Sequence, residues 1–410
     1  MHILIIGKVW PEPASSAAGG RMLQLMETFL AQGWSVSFAS AANKSDFSVL
    51  PEWPGLNGFS IDLNASSFDD FIKRIQPDLV LFDRFSTEEQ YGWRVAQHCP
   101  QAMRVLDLED LHGLRAGREN ALKEHRAFSP DDLTNNIAKR ELASIYRCDL
   151  SLVISSYELE LLLHTLKIDP TLLHYLPFLP EALTEEHLNA WPPFAARKNF
   201  ISIGNFLHGP NWDATLYMKQ TIWPLIRKQL PEVELEVYGA YPSHKVFQLH
   251  TPAEGFLVRG RANAVAQVMA AARVCLAPLR FGAGLKGKLL DAMRFGTPSV
   301  TTAIGAEGMH GSLAWNGAIA DSPEEFAAAA VALYKEESRW NEAQQQGALL
   351  YSRCFDTATH QKLFISTLLS LQQSLEKHRL KNFVGGILWH QSLLSTKYMA
   401  LWIEAKNKIE

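Results

Sequence analysis

Apolar residues along the chain fall into two kinds of repeat. Short apolar-rich runs at residues 2–6, 35–39, 79–82, 104–106 and 150–154 have the length and flanking turns of strands buried on both faces. Between them the apolar positions recur every three or four residues. Met22, Leu25, Met26, Phe29 and Leu30 predict a helix that stops at Gly33, and a second helix is expected around residues 88–99. The alternation resumes with strands expected at 200–203, 235–238, 256–259, 274–277, 299–302 and 318–320, with helical stretches between them. Strand and helix taking turns in this way predict an α/β protein with two doubly wound parallel sheets. A final helix is expected over 357–377, carrying Leu363, Phe364, Leu368, Leu369 and Leu371. Beyond it Phe383, Ile387, Leu388, Trp389, Leu393, Leu394, Tyr398, Met399 and Trp402 form an apolar stripe. Such a stripe is usually core or a subunit contact, and with few basic residues it is a weaker membrane signal.

Length agrees with two domains, since 410 residues exceed one ordinary core. Pro177, Pro180, Pro192 and Pro193 mark a connection between them. The expected division is therefore 1–180, a linker over 181–198, a second domain over 199–355, and helices over 356–410 that cross back to the first. A net charge of −4 argues against broad nucleic-acid binding. Cys99, Cys148, Cys275 and Cys354 are scattered and read as reduced thiols of a cytoplasmic protein. The opening MHILIIGKVW reads as a first strand rather than a signal peptide, and no run of about 18 apolar residues predicts a spanning helix.

Candidate chemistry centres on LRFGAGLKGKLLDAMRFGTP, residues 279–298, which follows an expected buried strand and turns through glycines into a helix. Glycines admit a close backbone approach, the first helical amides point at an anion, and Lys286 and Lys288 add charge. Three ligand classes use such a turn. Gly282, Gly284 and Gly287 spell a dinucleotide fingerprint, but Glu307, near the distance of a ribose acid, sits in a glycine-flanked turn and not at a strand tip. Gly282 to Lys288 spells a P-loop, but Leu289 stands where a magnesium-binding hydroxyl belongs. The third class rests on a resemblance to a known family.

FGAGLKGKLLDAMRFGTPSVTTAIGAEGM resembles the donor-site signature of GT-B glycosyltransferases of the GT4, or group 1, type, and GNFLHGPNWDAT resembles another segment of the same family. The resemblance implies two Rossmann-like domains facing across a cleft. It also implies retaining, metal-independent transfer of a sugar from a UDP- or GDP-linked donor to a glycan, lipid-linked or protein acceptor. By the same resemblance Asp291 holds the nucleotide ribose, Gly282, Gly284, Lys286 and Lys288 hold the diphosphate, and Asn205 stands where relatives place a basic ligand. Arg261 lies where relatives hold the base, Glu307 lies near the donor sugar, and Gly19 and Gly20 form a turn after the first strand. The family's other donor-site acid would fall at Ala283, so that contact is missing.

The segment LDLEDLHGLRAGR gathers Asp107, Glu109, Asp110, His112, Arg115 and Arg118 at a strand end, and such density is typical of clefts. It resembles the family's D-L-H-x-L-R segment, in which a histidine reaches the donor; His112 is accordingly expected to be catalytic by orienting the sugar, and Lys288 by stabilising the leaving diphosphate. A lone histidine is otherwise more often structural, and Gly19 and Gly20 can be mere loop formers. Arg115 and Arg118 share a helix face aimed either at an anionic acceptor or at solvent with Glu119. Asp131 and Asp132 read as the acids of a helix start capped by Ser129, not as a metal pair. Peripheral contact with the inner membrane face and self-association through the last helix remain open. So do two other functions, a sugar-nucleotide epimerase and a catalytically silent nucleotide-binding partner protein.

Overall fold

In the computed structural model, which describes residues 1–390, Tyr398 and Trp402, the chain forms two all-parallel sheets covered by helices. The first contains β1 (His2–Gly7), β2 (Ser35–Ser40), β3 (Leu56–Ser60), β4 (Leu79–Asp83), β5 (Met103–Asp107), β6 (Leu150–Val153) and β7 (Leu173–Tyr175), in the order β3-β2-β1-β4-β5-β6-β7. The second contains β8 (Lys198–Ile203), β9 (Leu235–Tyr238), β10 (Phe256–Gly260), β11 (Ala272–Ala277), β12 (Ser299–Thr301) and β13 (Gly317–Ile319), in the order β10-β9-β8-β11-β12-β13. Both orders reverse beside a central strand, between β1 and β4 in one sheet and between β8 and β11 in the other.

The two-residue period of β1 explains its unbroken apolar run. Ile3 and Ile5 pack on one face with α1 (Ala17–Leu30), while Leu4 and Ile6 pack on the other with Phe68, Phe71 and Tyr91. Each apolar strand expected from the sequence is present within two residues of its expected ends. The strands β3 and β7 have no counterpart in that reading. Both are sheet edges, and LNGFS has one partly exposed face and no apolar run to detect.

Helices that bear on function are α2 (His112–Lys123), α3 (Asn136–Arg147), α4 (Gly209–Tyr217), α5 (Gly287–Arg294), α6 (Glu337–Cys354), α7 (Thr357–Gln373), α8 (Leu375–Lys381) and α9 (Phe383–His390). The helix expected over 357–377 breaks at Ser374 into α7 and α8. Phe364, Leu368 and Leu371 of α7 enter the core of the first domain, whereas Leu363 and Leu369 are exposed. Farther on, Arg379 of α8 grips the buried Asp149 at 2.8 and 2.7 Å, and Trp389 of α9 donates to the Arg147 carbonyl. Leu393, Leu394 and Met399 of the apolar stripe lie outside the described residues. Pro130–Thr134 is a 3-10 turn with a Ser129–Asp132 capping box, and the Asp132 carboxylate is forked by Arg126. None of the helices, among the described residues, is long and apolar enough to cross a membrane.

Candidate active site

The carboxyl ends of the two sheets border one cleft of about 810 Å³. Its second-domain wall is the β8–β11 reversal point, the usual ligand position in open α/β sheets. After β11 the chain runs through the glycine turn into α5, whose apolar Leu289, Leu290 and Met293 are buried and fix the helix against the domain. The amino end of α5 has no side-chain cap, and the Gly287 and Lys288 amides have no hydrogen-bond partner among the described residues. Uncapped amides at a helix start beside a cleft make an anion site.

Two lysines flank these amides in different ways. The Lys288 Nζ donates to Asn211 Oδ1 at 2.6 Å, and burial lowers its pKa to about 8. The Lys286 Nζ donates to the Gly284 carbonyl at 2.6 Å, and burial lowers it to about 8 against the pull of Glu307 and Glu158. One turn along, Asp291 also lines the cleft, and burial raises its pKa to about 6. Withdrawal from water disfavours the charged form of each, which an oppositely charged or hydrogen-bonding ligand would reverse.

Of the residues singled out from the sequence, Gly20, His112, Asn205, Arg261, Gly282, Gly284, Lys286, Lys288 and Asp291 line the cleft. Gly19 and Glu307 do not. A Cβ on Gly19 would stand 2.5 Å from the Glu12 backbone, so this glycine permits a loop to close on α1. The Glu307 carboxylate, expected near the donor sugar, is instead forked by Arg118 at 2.7 Å from both nitrogens and does not line the cleft. Arg118 also donates to the Gly282 carbonyl, so it clasps the two domains and is not a solvated partner of Glu119, which pairs with Lys123. Arg280 pairs with Asp213 away from the cleft lining.

The glycine turn carries a second correction. The Gly284 amide, expected to face a phosphate, donates to Glu158 Oε1 of the first domain at 2.7 Å, and the same oxygen accepts from Leu111. Gly284 has φ +64, and a Cβ there would meet the Asp110 Cβ at 2.7 Å. Part of the turn's glycine content therefore serves contact between domains. Glu158, an unremarked glutamate in the sequence, organises it.

Across the cleft, α2 begins with His112. Its Nδ1 lies 3.0 Å from the Asp110 carbonyl and 3.2 Å from Glu141, and its ring edge meets Phe85. Those acceptors place a proton on Nδ1, and Nε2 has no partner among the described residues. Arg115 pairs with Asp110, and burial lowers the pKa of Arg115. The sequence density at 107–118 pointed to this wall, but Asp107 is wholly buried and bound to Arg21 instead. At the far end of the cleft Arg261 stacks on Phe47, 3.9 Å from its ring centre, with Nε unpartnered.

Residues 197–336 match the family described as glycosyl transferases group 1. No curated protein matches the chain in sequence. Among solved structures, sucrose-phosphate synthase from Thermosynechococcus elongatus is 16% identical with a TM-score of 0.67, over 91% of this chain and 100% of that one. HepE of Anabaena, in complex with UDP-glucose, is 14% identical with a TM-score of 0.64, over 90% and 100%. WaaG, a glycosyltransferase involved in lipopolysaccharide biosynthesis, is 14% identical with a TM-score of 0.57, over 87% and 98%. At these identities the likeness is one of fold.

Proposed function

We propose that this chain, which has a GT-B fold and a group 1 glycosyltransferase match over residues 197–336, transfers a hexose with retention from a UDP- or GDP-linked donor, without a metal. The observation that carries the reading is the uncapped start of α5, with two free amides, Lys288 within the cleft and Asp291 one turn on. The diphosphate sits on the amides and the Lys288 ammonium, and the ribose hydroxyls donate to Asp291. As the sugar–phosphate bond breaks, charge grows on the diphosphate oxygen facing fixed N–H dipoles and an ammonium, which stabilises the transition state more than the ground state. The acceptor hydroxyl attacks from the leaving-group side and its proton passes to the departing phosphate. His112 hydrogen-bonds a sugar hydroxyl through Nε2 and holds the sugar in place.

Support for a nucleotide-sugar donor comes from the fold shared with HepE, whose structure contains UDP-glucose. Incubation with UDP- and GDP-sugars tests the reading: slow donor hydrolysis or transfer is expected, whereas an epimerised donor or binding without turnover selects one of the other two functions. Ala283, buried against the first domain where the family carries an acid, is the observation that favours silent binding. The variant Lys288→Ala is expected to lower turnover at least about tenfold through loss of one charged ligand. Turnover should be insensitive to EDTA; a loss restored by a divalent cation would end the metal-free assignment. An acceptor on a membrane or a second copy of the chain would find exposed Phe383, Val384 and Ile387 on α9.

A further inference from the structure

The wall opposite α5 is the other reversal point, between β1 and β4. Lys8 follows β1 and Arg84 follows β4, so the two cations flank that point, and both line the cleft. Arg115 joins them from α2. Their direct carboxylate partners are Asp83 and Asp110. Lys8 Nζ has no hydrogen-bond or ion-pair partner among the described residues, and Arg84 has one contact, to Asp83 at 3.5 Å. Arg115 has its own carboxylate, Asp110. Partial withdrawal from water lowers the pKa of Lys8, with the Arg84 and Arg115 charges adding to it and Asp83 opposing, whereas Asp83, Glu109 and Asp107 raise that of Arg84 against its burial.

The same wall carries Glu109, which follows β5, is 8% exposed and has an unpartnered Oε1 while lining the cleft. Its burial, and the neighbouring Asp107, raise its pKa against the pull of Arg84 and Arg21, and the unpartnered oxygen is available to a ligand hydroxyl. Arg84 and Glu109 both hold left-handed backbone, φ +71 and +61, a conformation unfavourable for side-chain-bearing residues. Backbone strain of this kind gathers where side chains are aimed at ligands.

We propose that the acceptor is a sugar or polyol bearing a phosphate or carboxylate group: Lys8 and Arg84, with Arg115 beside them, bind the anion, and Glu109 binds a neighbouring hydroxyl. The inference rests on the donor being held at α5. It adds the charge of the acceptor, which the transferase reading leaves undefined. Lys8, without a partner for its Nζ among the described residues, and Arg84, with a single contact at 3.5 Å, can each take up an oxyanion, the guanidinium through two parallel hydrogen bonds.

The test uses the full chain saturated with UDP or GDP, whichever binds, so that the α5 site is filled. Calorimetry then follows titration with inorganic phosphate, glucose 6-phosphate, glucuronate and glucose. Phosphate and at least one of the two acidic sugars are expected to bind at least about tenfold more tightly than glucose, with about tenfold weakening in Lys8→Ser and in Arg84→Ser. Preference between glucose 6-phosphate and glucuronate identifies the anion. Glucose binding as tightly as both acids, anion binding that disappears when the nucleotide site is filled, or anion affinity unchanged in both variants overturns the proposal. Should no nucleotide bind at all, the donor reading fails by itself; phosphate titration of the unliganded wild type and Lys8→Ser still decides the anion site.

Discussion

Burial of Lys288 and Asp291 in one cleft brings two opposed titrations close to neutrality. The Lys288 cation is present below about 8 and lost above it, and the Asp291 carboxylate is present above about 6 and lost below it. Affinity for UDP-glucose, whose diphosphate keeps its charge through this range, is therefore expected to peak between those values and fall on both sides. Titration calorimetry across pH checks this, and Lys288→Arg should carry the alkaline limb upward because guanidinium keeps its proton. A flat profile would remove both groups from the ligand. The sequence placed the two residues three apart on a helix and hence on one side of it. It could not show the opposite fate of Glu307, whose partner Arg118 lies 189 positions away.

Among elements, the turn between β11 and α5 was legible as strand, glycines, helix because its local signals agree: an apolar run, φ-permissive residues, then a buried helical stripe. The reason for each glycine was not. Gly284 is left-handed and faces Asp110, and Gly287 would place a Cβ 2.5 Å from the Ala17 Cβ, so both glycines admit the first domain. Gly284→Ala is expected to lower stability by about 1 to 3 kcal/mol through backbone strain and the Asp110 clash. Urea denaturation reads the loss, and an unchanged midpoint would mean that the turn moves aside freely. The edge strands β3 and β7 were invisible for the related reason that their identity lies in pairing with β2 and β6, not in their own apolar content.

At the scale of the molecule, α7 to α9 return to the first domain, and Arg379 ties them to Asp149 beneath β5 and β6. Arg379→Ala leaves Asp149, 2% exposed, with Arg104 as its remaining ion-pair partner. A loss of about 1 to 3 kcal/mol is expected from the weakened buried pair. The Arg379 side-chain bond helps hold the Asp149 pKa below its ordinary value, so this contribution is present at neutral pH and fades as acid protonates Asp149. Denaturation of wild type and variant at neutral and acid pH checks both the size and the narrowing of the gap. Period and composition by themselves determined the two parallel α/β sheets, because burial on both faces demands continuous apolar strands and each crossover demands an amphipathic helix. Only the tertiary structure decided which charges remain for a ligand. Glu158, Glu307 and Arg118 are spent on one another's domains while Lys8, Arg84 and Glu109 are left facing the cleft. That division depends on distances between residues far apart in the chain, which no local pattern encodes.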